Sequence, residues 1–281
     1  MRKHLGTLMA LIAVMMTMAV SAPETSVAHA EAVSVFSASQ ALGAPSLSGA
    51  ISEATWGKPA ATINKSSYNT TLMGHDGQTP EDVEMDVYFR WDADYLYIGV
   101  KTPDSDLTGY KDNYVGDGLQ FKLEAGKTIT GAASDICLTW GRSGFDATPG
   151  GESFQVRGAN ADALNASIRS NIVHEDGALS LMLAIPHKDM GYTAAEVKAG
   201  APYAIAILRI SGKGGTGASE ATAYAGWLEW GAYWPADNGY HRPTCVANNV
   251  VVLGDEAFMP GHMFSASQAL GAPSLSGAIS E

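Results

Sequence analysis

Residues 36–53 read FSASQALGAPSLSGAISE, and residues 264–281 read the same, residue for residue. An exact recurrence fixes a period before any secondary structure is assigned, because whatever residues 36–53 open is opened again at 264. The expected organisation is one complete unit over residues 33–255, a linker over 256–263 containing the Pro260-Gly261 turn pair, and a truncated second copy over 264–281. Eighteen residues bury too little apolar surface to offset their own ordering entropy, so the second copy reads as the opening of a longer array rather than a self-folding tail.

Ahead of the unit, Arg2 and Lys3 precede an uncharged apolar run over residues 8–20, and Ala28-His29-Ala30 supplies a small-residue cleavage pattern. Residues 1–30 are therefore expected to be a cleaved secretory signal, which sends the chain outside the cell or to its surface by bacterial-type export. The run is too short to span a bilayer comfortably, and no other membrane span is expected in the mature chain. The leader carries a net charge of +1, so its removal takes the formal charge from −12 to −13. An acidic chain without a basic stripe cannot neutralise a row of phosphates, which excludes nucleic acid as the expected partner and suits a neutral ligand or Ca²⁺. Cys137 and Cys245 pass through an oxidising compartment, so one disulfide is open to them, but no spacing implies it.

Within the unit, short runs of alternating, aromatic and β-branched residues predict strands over 83–88, 95–100, 118–123, 135–140, 178–185, 203–210, 223–230 and 246–253. Turn residues punctuate them at Asp92-Ala93-Asp94, Gly141-Arg142-Ser143-Gly144, Glu175-Asp176-Gly177 and Gly212-Lys213-Gly214-Gly215. Helical periodicity is confined to 161–170 and 193–199. Many short strands without βαβ alternation predict an all-β chain, specifically an antiparallel β-sandwich of the immunoglobulin-like or jelly-roll type.

Several segments, in order and over nearly the whole unit, resemble the family 9 carbohydrate-binding modules and their DOMON-like sandwich relatives. They are residues 45–56 (PSLSGAISEATW), 89–100 (FRWDADYLYIGV), 116–121 (GDGLQF), Ala184-Ile185-Pro186 with Met190-Gly191, and Tyr240-His241-Arg242-Pro243. The resemblance implies a sandwich that holds a sugar between two aromatic side chains, at positions that correspond here to Tyr114 and Tyr240, with Gln120, Asn238 and Arg242 as polar partners. The chemistry is sound, because the C–H face of a pyranose packs on an aromatic plane while its rim hydroxyls need placed polar groups. This sequence departs from the family in having Tyr where Trp is usual. It also has Gln120 and Met182 where the family is acidic, and Leu208 and Arg209 where a polar pair is usual. Structural Ca²⁺ is a further implication, with Asp104, Asp106, Asp112 and Asp117 as the candidate ligands in one loop-rich stretch.

Trp56 and Trp91, beside turns, are expected in the core. Trp227, Trp230 and Trp234 with Tyr224 and Tyr233 could form an aromatic platform, but Trp227 and Trp230 would point to opposite faces of a strand. The chain contains no Gly-x-Ser-x-Gly elbow, no His-Glu-x-x-His motif and no phosphate loop. The expected function is thus a non-catalytic extracellular module for cellulose- or xylan-like polysaccharide or oligosaccharide, an accessory to glycoside hydrolysis. A structural spacer repeat without a ligand is the alternative. A haem sandwich using Met73, Met85, His75, His174 or His187 is a remote third reading, since no spacing pairs them.

Overall fold

The computed structural model describes residues 34–67, 70–74, 84–109, 116–129, 133–140, 152–213, 226–230 and 249–260. The strands are β1 (Ser34–Ala41), β2 (Ala61–Ile63), β3 (Thr70–Gly74), β4 (Met85–Trp91), β5 (Tyr95–Pro103), β6 (Gly118–Ala125), β7 (Ser134–Trp140), β8 (Glu152–Gly158), β9 (Arg169–Glu175), β10 (Ala178–Pro186), β11 (Pro202–Ser211), β12 (Gly226–Trp230) and β13 (Asn249–Phe258). One turn of helix, α1 (Glu53–Trp56), one short helix, α2 (Ala161–Ser167), and a 3₁₀ turn, His187–Met190, complete the described elements.

The all-β expectation holds, with one change of direction. The strands follow the order β8-β7-β6-β11-β13-β1-β4-β5-β10-β9, and β1 runs parallel to both of its neighbours. The other pairings are antiparallel, so the sheet is mixed. The far end of the path folds back until β9 touches β7 and β8, which makes a sandwich of two half-sheets that meet along β1.

Strand parity explains this closure. Met85, Val87, Phe89 and Trp91 of β4 alternate with Asp86, Tyr88 and Arg90; in β5, Leu96, Ile98 and Val100 occupy the inward face. Leu119, Phe121 and Leu123 of β6 and Tyr203, Ile205 and Ile207 of β11 meet them from the other half-sheet, and Leu181 and Leu183 of β10 complete the layer. Trp91 lies in this core with its indole N–H donating to the Gly254 carbonyl at 2.8 Å, and Trp230 lies there too, edge-on to Phe36 at 4.9 Å between ring centres. Trp227 turns to the opposite face of β12, as alternation requires.

The outer face of the β4-β5-β10 half-sheet is covered by the chain that follows β1. Leu47, Ile51 and Trp56 pack on Tyr88, Tyr97, Met182 and Ala184. Polar ties hold this strap: Trp56 Nε1–H donates to the Ser46 carbonyl at 2.9 Å, Ile51 N–H to Ser180 Oγ at 3.0 Å, Asn171 Nδ2–H to the Leu47 carbonyl at 2.6 Å and Lys101 Nζ to the Ile51 carbonyl at 3.2 Å. Close approach requires Gly99, where a Cβ would stand 3.0 Å from both Ile51 Cδ1 and Trp56 ring carbons.

Two local expectations resolve at turns. Asp176 and Gly177 both adopt positive φ, 54° and 71°, which suits the tight hairpin between β9 and β10. Residues 193–199 do not form the expected helix. Glu196 Oε2 accepts from both Thr193 N–H (2.8 Å) and Thr193 Oγ1 (2.7 Å), a single capped turn that Gly200 ends at φ +94° before β11 begins.

The strap's dependence on Gly99 is testable. Gly99→Val should lower the stability of the purified chain in urea by about 1–3 kcal/mol, because the added branch meets two packed side chains in a filled face. A change within about 0.5 kcal/mol, the usual range for an uninvolved surface position, would mean that the strap does not pack as described.

Candidate functional site

The outer face of the other half-sheet is different in kind. Here the outward positions are Gln120, Lys122 and Glu124 of β6, Asp135, Cys137 and Thr139 of β7, Gln155 and Arg157 of β8, and Ala204, Ala206 and Leu208 of β11. Register sets Asp135 directly between Lys122 and Arg157, and sets Gln120 between Cys137 and Leu208. Gln120 Nε2 donates to Asp135 Oδ1 at 3.0 Å, and Arg157 Nη2 donates to Gln155 Oε1 at 3.1 Å. Polar side chains thus form a largely buried band across three strands, bordered on β11 by Ala204, Ala206 and Leu208, which pack with Ile129 in an apolar cluster on the same face. Burial, with the Asp135 carboxylate adding to it, pushes the Cys137 thiol far above its ordinary value, so this cysteine is no nucleophile at neutral pH. Cys245 lies outside the described residues.

Of the expected ligand residues, Gln120 is at the centre of this band, only 3 % exposed. Tyr114, Asn238, Tyr240 and Arg242 lie outside the described residues, as do Tyr224, Tyr233 and Trp234. Their flanking residues are described. Gly109 and Gly116 pair across the segment that carries Tyr114, and Gly118 stands opposite Ile210 of β11. Trp230 and Asn249, on either side of the segment that carries Asn238, Tyr240 and Arg242, stand opposite Ile207 and Ile205 of the same strand. The described residues Gly118, Trp230 and Asn249 therefore pair along one stretch of β11, about 17 Å from Ile205 to Ile210 at the usual strand rise. Met182, which the family resemblance aligns with an acidic ligand position, lies in the strap cluster on the opposite half-sheet.

Sequence reasoning singles out Gln120 but not Lys122, Asp135, Gln155 or Arg157. The signal that could have found them is period-2 alternation: each is the polar member of a strand whose intervening residues are Leu, Phe, Ile or Val.

Two of the four candidate aspartates are drawn together in the structure. Asp104 and Asp117 do come together, but around Arg209, whose Nη2 donates to Asp104 Oδ2 at 2.7 Å and to Asp117 Oδ1 at 3.1 Å. Arg209 continues the inward row Tyr203, Ile205 and Ile207, so its guanidinium enters the end of the core and needs buried counter-charge. Asp117 also accepts Thr108 N–H at 2.7 Å and Gly212 N–H at 3.0 Å, while Asp106 accepts Thr108 Oγ1 at 3.1 Å. Among the described residues, no three His, Cys, Asp or Glu side chains are grouped so as to hold a metal ion. Asp112 lies outside the described residues.

The haem candidates are similarly placed. His187 is buried with both ring nitrogens in use: Nε2–H donates to the Asp92 carbonyl (3.0 Å), which leaves Nδ1 to accept from Tyr203 OH (2.6 Å). His174 contacts Asp104, and Met85 is buried in the main core. His75 and the side chain of Met73 lie outside the described residues.

No protein-family model matches this sequence, and no curated protein is similar to it. Among solved structures, the fold is similar to a family 9 carbohydrate-binding module from Caldicellulosiruptor kristjanssonii in complex with cellotriose. The TM-score is 0.50 at 10% identity, over 79% of this chain and 94% of that one. A structure of a family 9 module from the same organism with glucose is related at TM-score 0.49 and 11% identity, over 79% and 96% of the two chains. Among the described residues, no helix is long and apolar enough to cross a membrane.

The Arg209 cluster makes a pH prediction. Burial, reinforced by Asp117, pushes the Asp104 carboxyl up to about 7, against the opposing pull of Arg209 and His174, with Asp106 adding to the rise. A carboxyl raised in the folded state holds its proton better there than in the unfolded chain, so its contribution is full below about pH 4 and is lost as pH rises through about 7. Chemical denaturation from pH 5 to 8 should therefore show stability falling with pH, and Asp104→Asn should flatten that slope. An unchanged slope in the variant would remove Asp104 as its source.

Proposed function

We propose that this chain is an exported, non-catalytic carbohydrate-binding module that takes a cellulose- or xylan-like oligosaccharide over the outer face of the β11-β6-β7-β8 half-sheet. The observation that carries the reading is the polar band of Gln120, Asp135, Lys122, Gln155 and Arg157, with Gly118, Trp230 and Asn249, which flank the Tyr114 and Tyr240 stretches of the sequence, paired beside it on β11. Amide, carboxylate, ammonium and guanidinium groups are the kinds of donor and acceptor that sugar hydroxyls use, and here each already engages other groups of the chain, so a sugar would have to exchange with those contacts. Tyr114 and Tyr240 supply the apolar planes for the sugar's C–H faces, and Asn238 and Arg242 supply further polar groups. The fold likeness to a module whose crystals held cellotriose supports a β-linked glucan as the first ligand to try. Export follows from the leader, with cleavage after Ala30 and action outside the cell, as an accessory to polysaccharide breakdown.

A second reading, a ligand-free structural spacer, is favoured by one observation. The Gln120 amide nitrogen is already spent on Asp135, so at least one member of the band is satisfied without a sugar.

Calorimetry of the mature chain with cello- and xylo-oligosaccharides separates the two. Binding should be measurable, and Tyr114→Ala and Tyr240→Ala should each weaken it about tenfold or more, the scale of one lost aromatic stacking contact. If the unsubstituted chain retains neither sugar series, the spacer reading replaces the binding module.

A further inference from the structure

The parallel pairing of β1 with β13 has a consequence for how a second unit can follow the first. Ser34 stands opposite Asn249, and Ala41 opposite Phe258, so the chain enters this unit at one pole of the β1/β13 pair and leaves it at the other. Five residues, 259–263, then separate Phe258 from the second copy of the opening sequence at 264. Returning to the start of β1 would require a parallel crossover, which takes about a dozen residues or more. The linker's six Cα steps reach at most about 20 Å. A linker of this length is too short to return the repeated sequence to the start of β1.

The exposed apolar side chains sit at these two poles. Among the described residues, the large hydrophobics left exposed are Val35 at the entry pole (63 %) and Leu42 and Met259 at the exit pole (51 % and 42 %). Leu42 and Met259 are neighbours, since Leu42 N–H donates to the Phe258 carbonyl at 2.8 Å. The same pole carries a cleft of about 290 Å³ lined by Asp94, Tyr95, Lys188, Tyr192 and Val197 among others, at the β4–β5 turn that follows Trp91. In the second copy, the residue aligned with Val35 is Met263, which keeps the entry pole apolar where the rest of the preceding sequence changes.

We propose that the exit pole around Leu42 and Met259 is an interface for the entry pole of a second copy of this sandwich, so that units joined by this linker stand end to end. The contact is heterologous, exit pole to entry pole, and propagates along an array without closing. The short tether makes each contact intramolecular, so a small apolar patch suffices to fix the arrangement. This inference depends on the exact repeat and the strand directions and is independent of any sugar ligand.

The test extends the chain as it exists by appending residues 54–258 after Glu281, which completes a second unit. Small-angle scattering should give two folded units in end-to-end contact, with a radius of gyration clearly above the roughly 1.3-fold increase that one compact body of doubled length would show. Leu42→Glu with Met259→Glu, or Met263→Glu alone, should leave the two thermal transitions intact. Either should broaden the spin-label distance distribution between the units. A compact side-by-side pair, a second unit that does not fold, or variants with an unchanged distance distribution would each overturn the proposal.

Discussion

The pairing of β1 with β13 on one side and β4 on the other is the interaction on which the rest depends. Without β1, the hydrogen-bonded order divides into β8-β7-β6-β11-β13 and β4-β5-β10-β9, each a half-sheet with an open edge. The seam is tight and short. Gly254 lies so close to β1 that a Cβ there would stand 2.2 Å from Ser37 Oγ, and β1 meets β4 through only Ser39 and Gln40. A bulge in β13, where Ala38 pairs Leu253 but Gln40 pairs Ala257, frees the Gly254 carbonyl for the Trp91 indole. The seam strand is thereby tied to the end of β4 through a side chain as well as through the backbone. The strap that leaves β1 then covers the outer face of β4, β5 and β10, so one continuous segment both joins the half-sheets and roofs one of them.

Much of this was legible in the sequence wherever strands alternate strongly. Residues 95–100, 118–123, 178–185 and 203–210 all lie in strands, because apolar side chains at every second position, or on both faces, leave no other way to bury them. β1 escaped notice for the opposite reason. SVFSASQA is rich in small polar residues, which the crowded seam requires but which carry little hydrophobic signal. Its direction was equally hidden, since parallel pairing with a strand more than two hundred residues away leaves no local trace. β8 and β9 were missed because both are edge strands whose outward residues are charged or polar, which blunts their alternation.

The candidate site carries a weaker signal in the sequence. Gln120 was picked out by family resemblance, and the structure sets it in a row of polar neighbours that only register could assemble. Met182 aligned by motif but faces the strap, because side chains on β10 sort strictly by parity, with Leu181 and Leu183 inward and Met182 outward under Ile51 and Trp56. In the acidic stretch from Asp104 to Asp117, both of these carboxylates meet Arg209 arriving from β11. Nothing in the local sequence of either loop could have announced a partner about ninety residues distant. Two buried carboxylates on one guanidinium nitrogen, with Arg209 Nε and Nη1 finding no partner among the described residues, make this clasp tense rather than simply stabilising. It sits at the pole where β1 begins, and closes the core there much as Trp91 closes it at the other pole.

The seam also sets the order in which the unit can form. Ser34 and Asn249 are separated by nearly the whole unit, so β1 can enter only after β13 exists, which makes this contact one of the slowest to close. A chain in which residues 36–41 of β1 recur at 264–269 then faces a choice of which copy fills the waiting position, the kind of mispairing to which repeated sequences are prone. Strand direction removes the choice. A parallel β1 must be reached from the far pole, and five linking residues cannot carry the second copy there, whereas the first copy is already tethered to the roof it will form through Ile51 and Trp56. An antiparallel seam would have let a short hairpin bring the wrong copy home. The direction of one strand thus keeps the repeated sequence from taking the β1 position of the unit that precedes it.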